Sequence, residues 1–424
     1  MDLPRGMRDI EPKESAMLEY VRQKFIETSN LFGFQFMEPS PIEMVSVIET
    51  KSGPSIKNEI YFFKDKGDRE IALRFDFTIG LTRYAVSQKS MRLPAKLSTF
   101  GGVWRYDEPQ KGRYRFFHQW DVEIYGEPNT ESDAEIIDFI AKFFSNLKLQ
   151  NITIDICDRG LVESYVKDVF KTDSPEVIGD ILRAVDKSQK KRRQEIIKEY
   201  QEKGYSQTDL EKILEFSQTK GTVQEIEKQT DVAKLKNWDK ILQLFESLKN
   251  RKVENVRINF GIVRGLDYYS GIVFEVFDSS SDLGALVGGG RYDTLTKAFG
   301  RADMGATGAA GGVERIMHSL EKQGIANLSN GNRVWVAFVN NDMKKIAINI
   351  ASALRLKGIP AEVDLAGKSL RKQMDLASGS KYAIIVAPKE YEEKSVVVRN
   401  MTDGSEKQVK LDSLLDDPGS SLQF

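Results

Sequence analysis

The stretch Phe100–Gly126, FGGVWRYDEPQKGRYRFFHQWDVEIYG, predicts two strands joined by the turn-rich loop Asp107–Gly112, where Pro109 and Gly112 disfavour regular structure. Successive side chains of a strand point to opposite faces, so the residues sort by parity. The even positions are mostly apolar and predict a core-facing side: Tyr114, Phe116, His118, Trp120, Val122 and Ile124. The odd positions mix charges, an amide and aromatic rings: Arg113, Arg115, Phe117, Gln119, Asp121, Glu123 and Tyr125. This mixture predicts the floor of a polar ligand site.

The size and composition of the chain argue against several classes of protein. Its 424 residues provide enough core for two or three domains. The net charge of −1 excludes a globally basic nucleic-acid binder but leaves room for local basic patches. A single cysteine, Cys157, fits a reducing compartment, and with two histidines, His118 and His318, a structural zinc site is not expected. Because the sequence has no membrane-length apolar run and no signal-peptide pattern, we expect a cytoplasmic protein with no membrane partner.

The pattern along the chain predicts separate regions. Apolar residues at helical spacing from Met17 predict an amphipathic helix that Gly33 ends, and Phe34–Glu38 predicts a short strand after it. Lysine, glutamate and glutamine dominate Leu161–Leu248, which predicts a helical insertion. The polar segment Glu321–Asn332 is the best candidate for a linker. Beyond it, apolar runs alternate with helical patterns and predict a small α/β domain.

Further segments carry polar residues in apolar surroundings. In Leu73–Tyr84, alternation predicts that Arg74, Asp76 and Thr78 share one strand face. Three glycines in Leu286–Asp293 predict a place where a ligand approaches the backbone closely. The other two segments are Gly261–Phe277, which holds Arg264, Asp267, Tyr268 and Tyr269, and Gly305–Arg315, where small residues lead into a helix with Arg315 in its first turn.

Arginines from several of these segments suit a polyphosphate ligand, because guanidinium groups bind phosphate oxygens bidentately. A phosphate site and ordinary salt bridges remain equally open, since spacing does not show that the segments converge. The sequence has no Gly-x-x-x-x-Gly-Lys-Ser/Thr motif, which excludes a Walker-type loop. The arginines concerned are Arg105, Arg113, Arg264 and Arg315.

The residues of the polar segments and their order along the chain match one known family. The matching segments are PRGMRDI (Pro4–Ile10), FMEPSPIE (Phe36–Glu43), RFDFT (Arg74–Thr78), WRYDEPQKGRYRFFHQWDVEIYG (Trp104–Gly126), VRGLDYYSGIVFEVF (Val263–Phe277), VGGGRYD (Val287–Asp293) and GGVERI (Gly311–Ile316). They resemble the histidyl-tRNA synthetases, which are class II aminoacyl-tRNA synthetases. The resemblance runs nearly end to end and is weakest in the insertion, and the RGLDYY and GGGRYD pieces are specific to the histidine enzymes.

The resemblance implies an α+β catalytic domain built on an antiparallel sheet with flanking helices. Residues 1–160 and 251–322 would form this domain, 161–250 a helical insertion, and 333–424 a C-terminal α/β anticodon-binding domain. The implied activity is that of a histidine–tRNA ligase, which uses ATP and Mg²⁺ to make histidyl-adenylate and then transfers histidine to the 3′ end of histidine tRNA. The first helix and Phe34–Pro41 resemble the class II dimer interface, so a homodimer is expected.

Matched residue by residue, the resemblance implies an ATP site. Arg105 would bind the α-phosphate and take part in catalysis, Arg113 would bind the β- and γ-phosphates, and Arg315 the γ-phosphate. Phe117 would stack under adenine, and Asp107 belongs to the same ATP-binding group.

The same match implies a histidine site. Arg264 resembles the family's catalytic arginine, which contacts the α-phosphate and the histidine carboxylate. Glu123 and Tyr269 would contact the two imidazole nitrogens, since neutral imidazole offers one donor and one acceptor. Tyr268 is a weaker candidate, because its parity is opposite to that of Tyr269. The residues expected to hold the α-amino group are Asp76, Thr78 and Gln119.

Other polar residues have structural interpretations. For Arg291, a packing role and a direct ligand contact both remain open. Structural roles are expected for Arg74, Arg83, Asp267, His118 and His318.

Some residues differ from the bacterial family pattern, and they bear on the type of enzyme and on how it recognises tRNA. Asp76 and Asp107 stand where bacterial relatives carry glutamate, which suggests an archaeal-type enzyme. Glu108 replaces a basic residue that helps bacterial relatives to read the extra 5′ guanosine of histidine tRNA, while Gln110 remains a candidate contact with that nucleotide.

Two basic stretches are candidate tRNA contacts. The run Lys187–Arg193 is predicted to lie on a helix of the insertion, where a solvated face and a phosphate contact are equally open. In the C-terminal domain, Lys368, Arg371 and Lys372 lie at the predicted start of a helix, where backbone amides also favour phosphate.

Rival functions come from different classes. One is a non-catalytic paralogue that acts as regulatory subunit of ATP phosphoribosyltransferase; such proteins usually lack the anticodon domain and parts of the RGLDYY region, both of which this sequence retains. A tRNA-binding accessory protein would bind tRNA without activating histidine. A synthetase for another amino acid would need other residues than Glu123 and Tyr269 on its binding floor.

Overall fold

The computed structural model describes residues 2–108, 114–188, 191–229, 231–263, 269–325 and 333–422. The chain divides into two compact units, Met1–Ala326 and Asn327–Phe424. This division falls within the segment predicted as a linker, although the first two residues of that segment, Glu321 and Lys322, still belong to a helix. Within the described ranges, no helix is both long enough and apolar enough to cross a membrane.

The strands of the first unit form two sheets. In the described part of this unit they are β1 (Gln35–Phe36), β2 (Ile42–Met44), β3 (Phe62–Lys64), β4 (Glu70–Leu73), β5 (Ala95–Trp104), β6 (Phe116–Gly126), β7 (Ile152–Asp158), β8 (Lys220–Gly221), β9 (Val256–Asn259), β10 (Ile272–Asp278), β11 (Val287–Arg291) and β12 (Gly305–Gly312). The larger sheet has the order β1-β5-β6-β12-β11-β10-β7-β9-β8, and the smaller has the order β2-β4-β3. Neighbouring strands from β5 through β7 in this order are all antiparallel, whereas β1 pairs with β5 and β7 pairs with β9 in parallel. The expected antiparallel sheet is therefore confirmed for its centre, with parallel pairs toward both ends.

Helices flank this sheet and fill the stretch between β7 and β9. The described helices of the first unit are α1 (Pro12–Leu31), α2 (Val45–Ser52), α3 (Thr78–Ser87), α4 (Thr130–Asn146), α5 (Arg159–Phe170), α6 (Pro175–Ser188), α7 (Arg193–Gln201), α8 (Gln207–Phe216), α9 (Val223–Gln229), α10 (Trp238–Asn250), α11 (Asp293–Ala298) and α12 (Val313–Lys322), with short 3-10 helices at Pro54–Asn58 and Val232–Lys234. α1 begins with Pro12 in its first turn, where no intrahelical donor is lost, and Gly33 just beyond its end has a φ of 72°.

The even-numbered face of β6 packs into an aromatic core. Trp120 lies 5.6 Å from Phe25 of α1 and 5.3 Å from Phe143 of α4, measured between ring centroids. Trp120, Val122 and Ile124 are all buried. Burial of such rings stabilises the sheet against both helices. The core-facing prediction is thereby confirmed for these three even positions, whereas Tyr114, which precedes β6, lines the cavity described below together with odd-numbered residues of the strand.

Two local predictions were wrong. Thr78 does not share a strand face with Arg74, because β4 ends at Leu73 and Thr78 begins α3. The Asp76 carboxylate accepts a hydrogen bond from the Ile79 N–H in the first turn of this helix, at 3.3 Å, which favours the helical start over a strand. The basic run from Lys187 to Arg193 does not lie on one helix, since α6 ends at Ser188 and α7 begins at Arg193.

The second unit has a five-stranded sheet in its described part. Its elements are β13 (Val334–Phe338), α13 (Asn341–Leu356), β14 (Ala361–Val363), α14 (Leu370–Ala377), β15 (Tyr382–Val386), α15 (Pro388–Glu392), β16 (Ser395–Asn400), β17 (Glu406–Lys410), α16 (Leu411–Asp416) and α17 (Pro418–Ser421). The sheet has the order β14-β13-β15-β16-β17. The parallel strands β13, β14 and β15 with α13 and α14 confirm the predicted α/β pattern. The antiparallel strands β16 and β17 were not predicted.

Candidate active site

A cavity of about 470 Å³ is lined by the odd-numbered face of β6 together with residues from much of the first unit. Most residues of the predicted ATP and histidine sites come together here. Those that line the cavity are Asp76, Thr78, Arg105, Asp107, Phe117, Gln119, Glu123, Tyr269 and Arg315. Arg113, Arg264 and Tyr268, as well as Gln110 and Asp267, lie outside the described residues.

Small residues of β12 keep the floor of the cavity open. β12 contributes Gly308 through Gly312, all glycine or alanine. A Cβ atom at Gly308 would lie 1.5 Å from Oε2 of Glu123, a distance that no packing tolerates. β12 pairs with β6 so that Gly308 lies opposite Glu123. The run of small residues therefore makes room for the carboxylate on the neighbouring strand.

The sequence predicts that a ligand approaches the three glycines of β11, but two of them lie against protein atoms instead. A Cβ atom at Gly289 would lie 2.4 Å from the Phe274 ring, and one at Gly290 would lie 2.4 Å from the carbonyl oxygen of Ile272. Only at Gly288, of these three, would an added Cβ meet no atom within 4 Å. Gly289 and Gly290 are thus required by the packing of β11 on β10, and Gly288 alone fits the predicted close approach of a ligand.

A group of buried carboxyls lies at the deep end of β6. Glu123 is 1% exposed and accepts a short hydrogen bond from the hydroxyl of Tyr292, while Asp121 is fully buried and accepts from the Thr78 hydroxyl at 3.2 Å. Burial raises the pKa of the Glu123 carboxyl to about 7. Burial and the neighbouring Glu123 charge raise the pKa of Asp121 well above its usual range. Burial also raises the pKa of the Tyr269 hydroxyl, which therefore stays a hydrogen-bond donor at neutral pH.

A buried ion pair forms another wall. Nζ of Lys51 on α2 lies 2.8 Å from Oδ2 of Asp76, and both side chains are largely buried. The ion pair fixes the position of the Asp76 carboxylate in the cavity wall, where its oxygens can accept further hydrogen bonds. Lys51 was missed by the sequence analysis, because nothing in its local pattern relates it to a residue 25 positions further along the chain.

Arg105, which follows the end of β5, lies beside Phe117 near the start of β6. The guanidinium carbon of Arg105 lies 5.1 Å from the centroid of the Phe117 ring, its Nε donates to the carbonyl of Phe75 at 3.0 Å, and one Nη donates to the Gln119 amide oxygen at 3.4 Å. Arg315, in the first turn of α12, donates to the carbonyl of Ala285 at 2.7 Å. Two guanidinium groups and an aromatic ring thus line one cavity.

Several polar residues have the structural partners that were expected for them. Arg74 donates to the carbonyl oxygens of Gly102 at 2.9 Å and Pro39 at 2.8 Å, and Arg83 forms a bidentate pair with Glu43. His118 contacts the Glu314 carboxylate through its ring and its backbone N–H, and the described structure places His318 on α12.

For Arg291, the structure favours packing over ligand contact. Its guanidinium forms two hydrogen bonds with the buried Asp133 carboxylate and a third with the carbonyl of Asn129, and it does not line the cavity. Arg115, just before β6, has structural partners as well, since it donates to the carbonyl of Asp107 at 3.1 Å and lies over the Tyr106 ring.

Further cavity residues were missed from the sequence. Tyr292 was quoted within GGGRYD, but nothing in that motif shows that its hydroxyl reaches Glu123. The other missed lining residues with polar side chains are Lys51, Tyr114, Glu275 and Glu314.

The candidate tRNA contacts differ in their surroundings. Lys187 and Lys191 both pair with Glu199, so part of the basic run is neutralised within the insertion. In the second unit, Lys368, Arg371 and Lys372 are all exposed, with α14 beginning at Leu370. Glu108, at the edge of the described loop, forms an exposed pair with Arg5 at 3.0 Å.

Comparisons with known proteins cover both units. A family described as "Histidyl-tRNA synthetase" matches residues 6–316, and one described as "Anticodon binding domain" matches residues 333–417. A histidine–tRNA ligase of Pyrococcus furiosus is 34% identical over 423 residues and one of Thermococcus kodakarensis is 32% identical over 425 residues; the matches cover 97% of this chain and 97% and 96% of those proteins, respectively.

Solved structures match the fold. A histidyl-tRNA synthetase from Nostoc superposes with a TM-score of 0.85 at 21% identity and covers 99% of both chains. A structure described as an ATP phosphoribosyltransferase regulatory subunit/histidyl-tRNA synthetase from Bacillus halodurans superposes with a TM-score of 0.75 at 22% identity, covering 91% of this chain and 98% of that one. At these identities the likeness concerns the fold alone.

Proposed function

This chain belongs to the histidyl-tRNA synthetase family, and on that premise we propose that it is a histidine–tRNA ligase. The observation that carries the proposal is one cavity that holds Glu123 and Tyr269 together with Arg105 and Arg315. Such a cavity offers complementary groups for an imidazole and cations for a polyphosphate. The archaeal relatives, Pyrococcus furiosus and Thermococcus kodakarensis, agree with the archaeal-type aspartates at positions 76 and 107.

In the proposed histidine site, Glu123 accepts from one imidazole nitrogen and the Tyr269 hydroxyl donates to the other. Neutral imidazole offers one donor and one acceptor, so this pair complements both. Asp76, Thr78 and Gln119 hold the α-amino group. An apolar side chain of similar size would leave the buried partners unpaired, which is costly and therefore selective.

In the proposed ATP site, Arg105 binds the α-phosphate, Arg315 binds the γ-phosphate and Phe117 stacks under adenine. Arg113 and Arg264, both outside the described residues, are assigned to the phosphates and to the histidine carboxylate from the resemblance alone. Mg²⁺ would neutralise phosphate charge; it keeps mostly water and phosphate ligands, and Asp107 and Glu275 are carboxylates in the cavity that fit as its few protein ligands.

The proposed reaction proceeds in two steps. A histidine carboxylate oxygen attacks the α-phosphorus, the bond to the β-phosphate breaks, and pyrophosphate leaves. The 3′-terminal ribose hydroxyl of the tRNA then attacks the carbonyl carbon of the adenylate, and AMP leaves. No side chain serves as covalent nucleophile, so the residues act by positioning the reactants and by stabilising charge on the phosphate.

We extend the proposal to the tRNA and to a second copy of the chain. Exposed Lys368, Arg371 and Lys372 contact phosphates of the tRNA, and Gln110 contacts its 5′ end. Charging of tRNA that survives alanine at the three basic positions would contradict the first contact.

Exposed apolar side chains on β1 and β2, Phe36 and Ile42, support a homodimer through this edge, which a sedimentation mass of one chain would contradict. Such an enzyme acts in the cytoplasm, where its proposed substrates are found.

The experiment that tests the proposed function is ATP–pyrophosphate exchange with each of the twenty amino acids. We expect exchange with histidine and a rate near background with the others. Exchange with another amino acid would place the chain in a different specificity class. Binding of tRNA without any exchange would support an accessory protein instead.

The regulatory paralogue is not favoured. The chain is 34% identical to a curated histidine–tRNA ligase over nearly its whole length, and it retains the anticodon-binding region that such paralogues usually lack.

A further inference from the structure

Asp121 is a buried carboxyl of the site that the proposed mechanism does not use. It lies two residues before Glu123 on the same face of β6 and is fully buried. Thr78 donates to its Oδ2 at 3.2 Å, but its Oδ1 has no hydrogen-bond donor among the described residues. A buried carboxylate oxygen with no donor is costly, so this atom requires an explanation.

A hydrogen bond between the Asp121 and Glu123 carboxyls would account for the absence of another donor. The carboxyls of Asp121 and Glu123 lie within hydrogen-bonding reach of each other, and two carboxylates so close cannot both stay ionised in a buried site. One shared proton turns the repulsion into a hydrogen bond. Tyr292 already donates to Glu123, which favours the ionised form of Glu123 and leaves the proton on Asp121.

We infer that Asp121 is a positioning residue, a neutral acid that donates a hydrogen bond to Glu123 and so keeps Glu123 an acceptor for the ring N–H of the bound side chain. The inference rests on the proposed function, because it assumes that imidazole occupies this end of the cavity. It extends that function by assigning the ionisation state of the specificity carboxylate to a residue that does not itself touch the ligand.

The surrounding groups agree with a single negative charge on the pair. The titratable and charged side chains that interact with it from other elements are Lys51, Asp76, Tyr269 and Tyr292, and from β6 itself Tyr125. Glu275 lines the same cavity and acts on Tyr269. Lys51 is the one cation among these, and it is already paired with Asp76. Because Lys51 is shared with Asp76, a second negative charge on Asp121 would have no cation of its own among these described groups.

Activity should fall at acid pH because Glu123 must be ionised to accept a hydrogen bond. The pKa of Glu123 in the empty site is raised to about 7, so Glu123 becomes protonated and loses its acceptor role as the pH falls through that value. The kcat/KM for the amino acid, which reports the free enzyme, should fall with it. Triazolylalanine is the suitable probe, because its ring, unlike imidazole, does not take up a proton in this range.

The test compares Asp121→Asn with Asp121→Ala in the full chain, using kcat/KM for triazolylalanine and for histidine in pyrophosphate exchange between pH 5.5 and 9. The asparagine amide can donate to Glu123 and accept from Thr78, so Asp121→Asn should stay within about threefold of wild type at pH 7.5 with an unchanged acid midpoint. Asp121→Ala removes the donor and should lower kcat/KM about tenfold, the scale of one lost hydrogen bond to a charged group, while the KM for ATP stays the same.

A downward shift of the acid midpoint by one pH unit or more in Asp121→Asn would overturn the inference, since it would mean that a negative charge had been removed beside Glu123. A tenfold loss of kcat/KM in Asp121→Asn at pH 7.5 would overturn it as well.

Infrared difference spectra separate this inference from the proposed function. At pH 9, where Glu123 is ionised, wild type should show the carbonyl band of a protonated carboxylic acid that Asp121→Asn lacks, whether or not the protein activates histidine. Absence of that band would contradict a neutral Asp121, whereas absence of exchange in wild type would contradict only the function.

Discussion

Arg105 is held in the cavity by groups that a bound phosphate need not displace. Its Nε donates to the Phe75 carbonyl at 3.0 Å, one Nη donates to the Gln119 amide oxygen at 3.4 Å, and the guanidinium lies over the Phe117 ring, so these contacts hold the cation in place in the cavity. This preorganisation is what stabilisation of developing phosphate charge requires, because the donors need no reorganisation during the reaction.

Arg105→Ala should lower the rate of histidine-dependent pyrophosphate exchange by about 10²–10³-fold, the scale for removing one group that stabilises a transition state. The matched control is Arg69→Ala, which removes an exposed arginine paired with Asp65. The control should stay within twofold of wild type. Steady-state exchange at saturating histidine measures both, and near-normal exchange in Arg105→Ala would exclude a role on the phosphate.

At the residue scale, side-chain alternation in the quoted strand predicted part of the cavity lining, but it placed Tyr114, another lining residue, on the opposite face. Phe117, Gln119 and Glu123 lie where parity places them. The partners that set their ionisation could not be predicted in the same way. Lys51 and Tyr292 come from distant segments, and only the tertiary fold brings them to Asp76 and Glu123.

At the element scale, β12 shows why strand composition matters. Gly308 lies opposite Glu123, and its hydrogen atom occupies space that a methyl group would share with the carboxylate. Separation of β12 from β6 or displacement of Glu123 would be needed to admit even alanine. Either change would disturb the floor of the proposed imidazole site.

Gly308→Ala should reduce the free energy of unfolding by about 2 kcal/mol or more, as expected when a side chain is forced into a packed site, and should weaken histidine binding. Gly288→Ala on the neighbouring strand is the matched control, because an added Cβ there meets no atom within 4 Å. Its stability should be unchanged or slightly higher. Denaturant unfolding of both variants measures the difference, and equal stabilities would refute the packing argument.

Elements were predicted well where apolar periodicity was strong and less well where local hydrogen bonds decide. The long strands β5 and β6 and the helix α1 were all expected. The start of α3 at Thr78 was mistaken for strand, because the pattern of Arg74, Asp76 and Thr78 alternates until the Asp76 carboxylate accepts from the helix backbone. The strands β16 and β17 were missed, and β17 carries mainly polar residues, Glu406, Lys407, Gln408 and Lys410, which give no apolar alternation.

At the scale of the whole molecule, the chain combines a unit that bears the cavity with a second unit that bears exposed basic residues. The first unit carries the match to the histidyl-tRNA synthetases and the second the match to anticodon-binding domains. The separation of the units was predictable from the polar segment Glu321–Asn332.

Charging of tRNA with labelled histidine tests the central claim most directly, because it requires the cavity and the tRNA contacts to work in one reaction. With the purified full chain, ATP and histidine tRNA, we predict that histidine becomes attached to the tRNA in an ester bond. The attachment should disappear when ATP is omitted or when the 3′-terminal ribose has been oxidised by periodate. Histidine-dependent pyrophosphate exchange without any charging of intact tRNA, or charging with a different amino acid, would contradict the account.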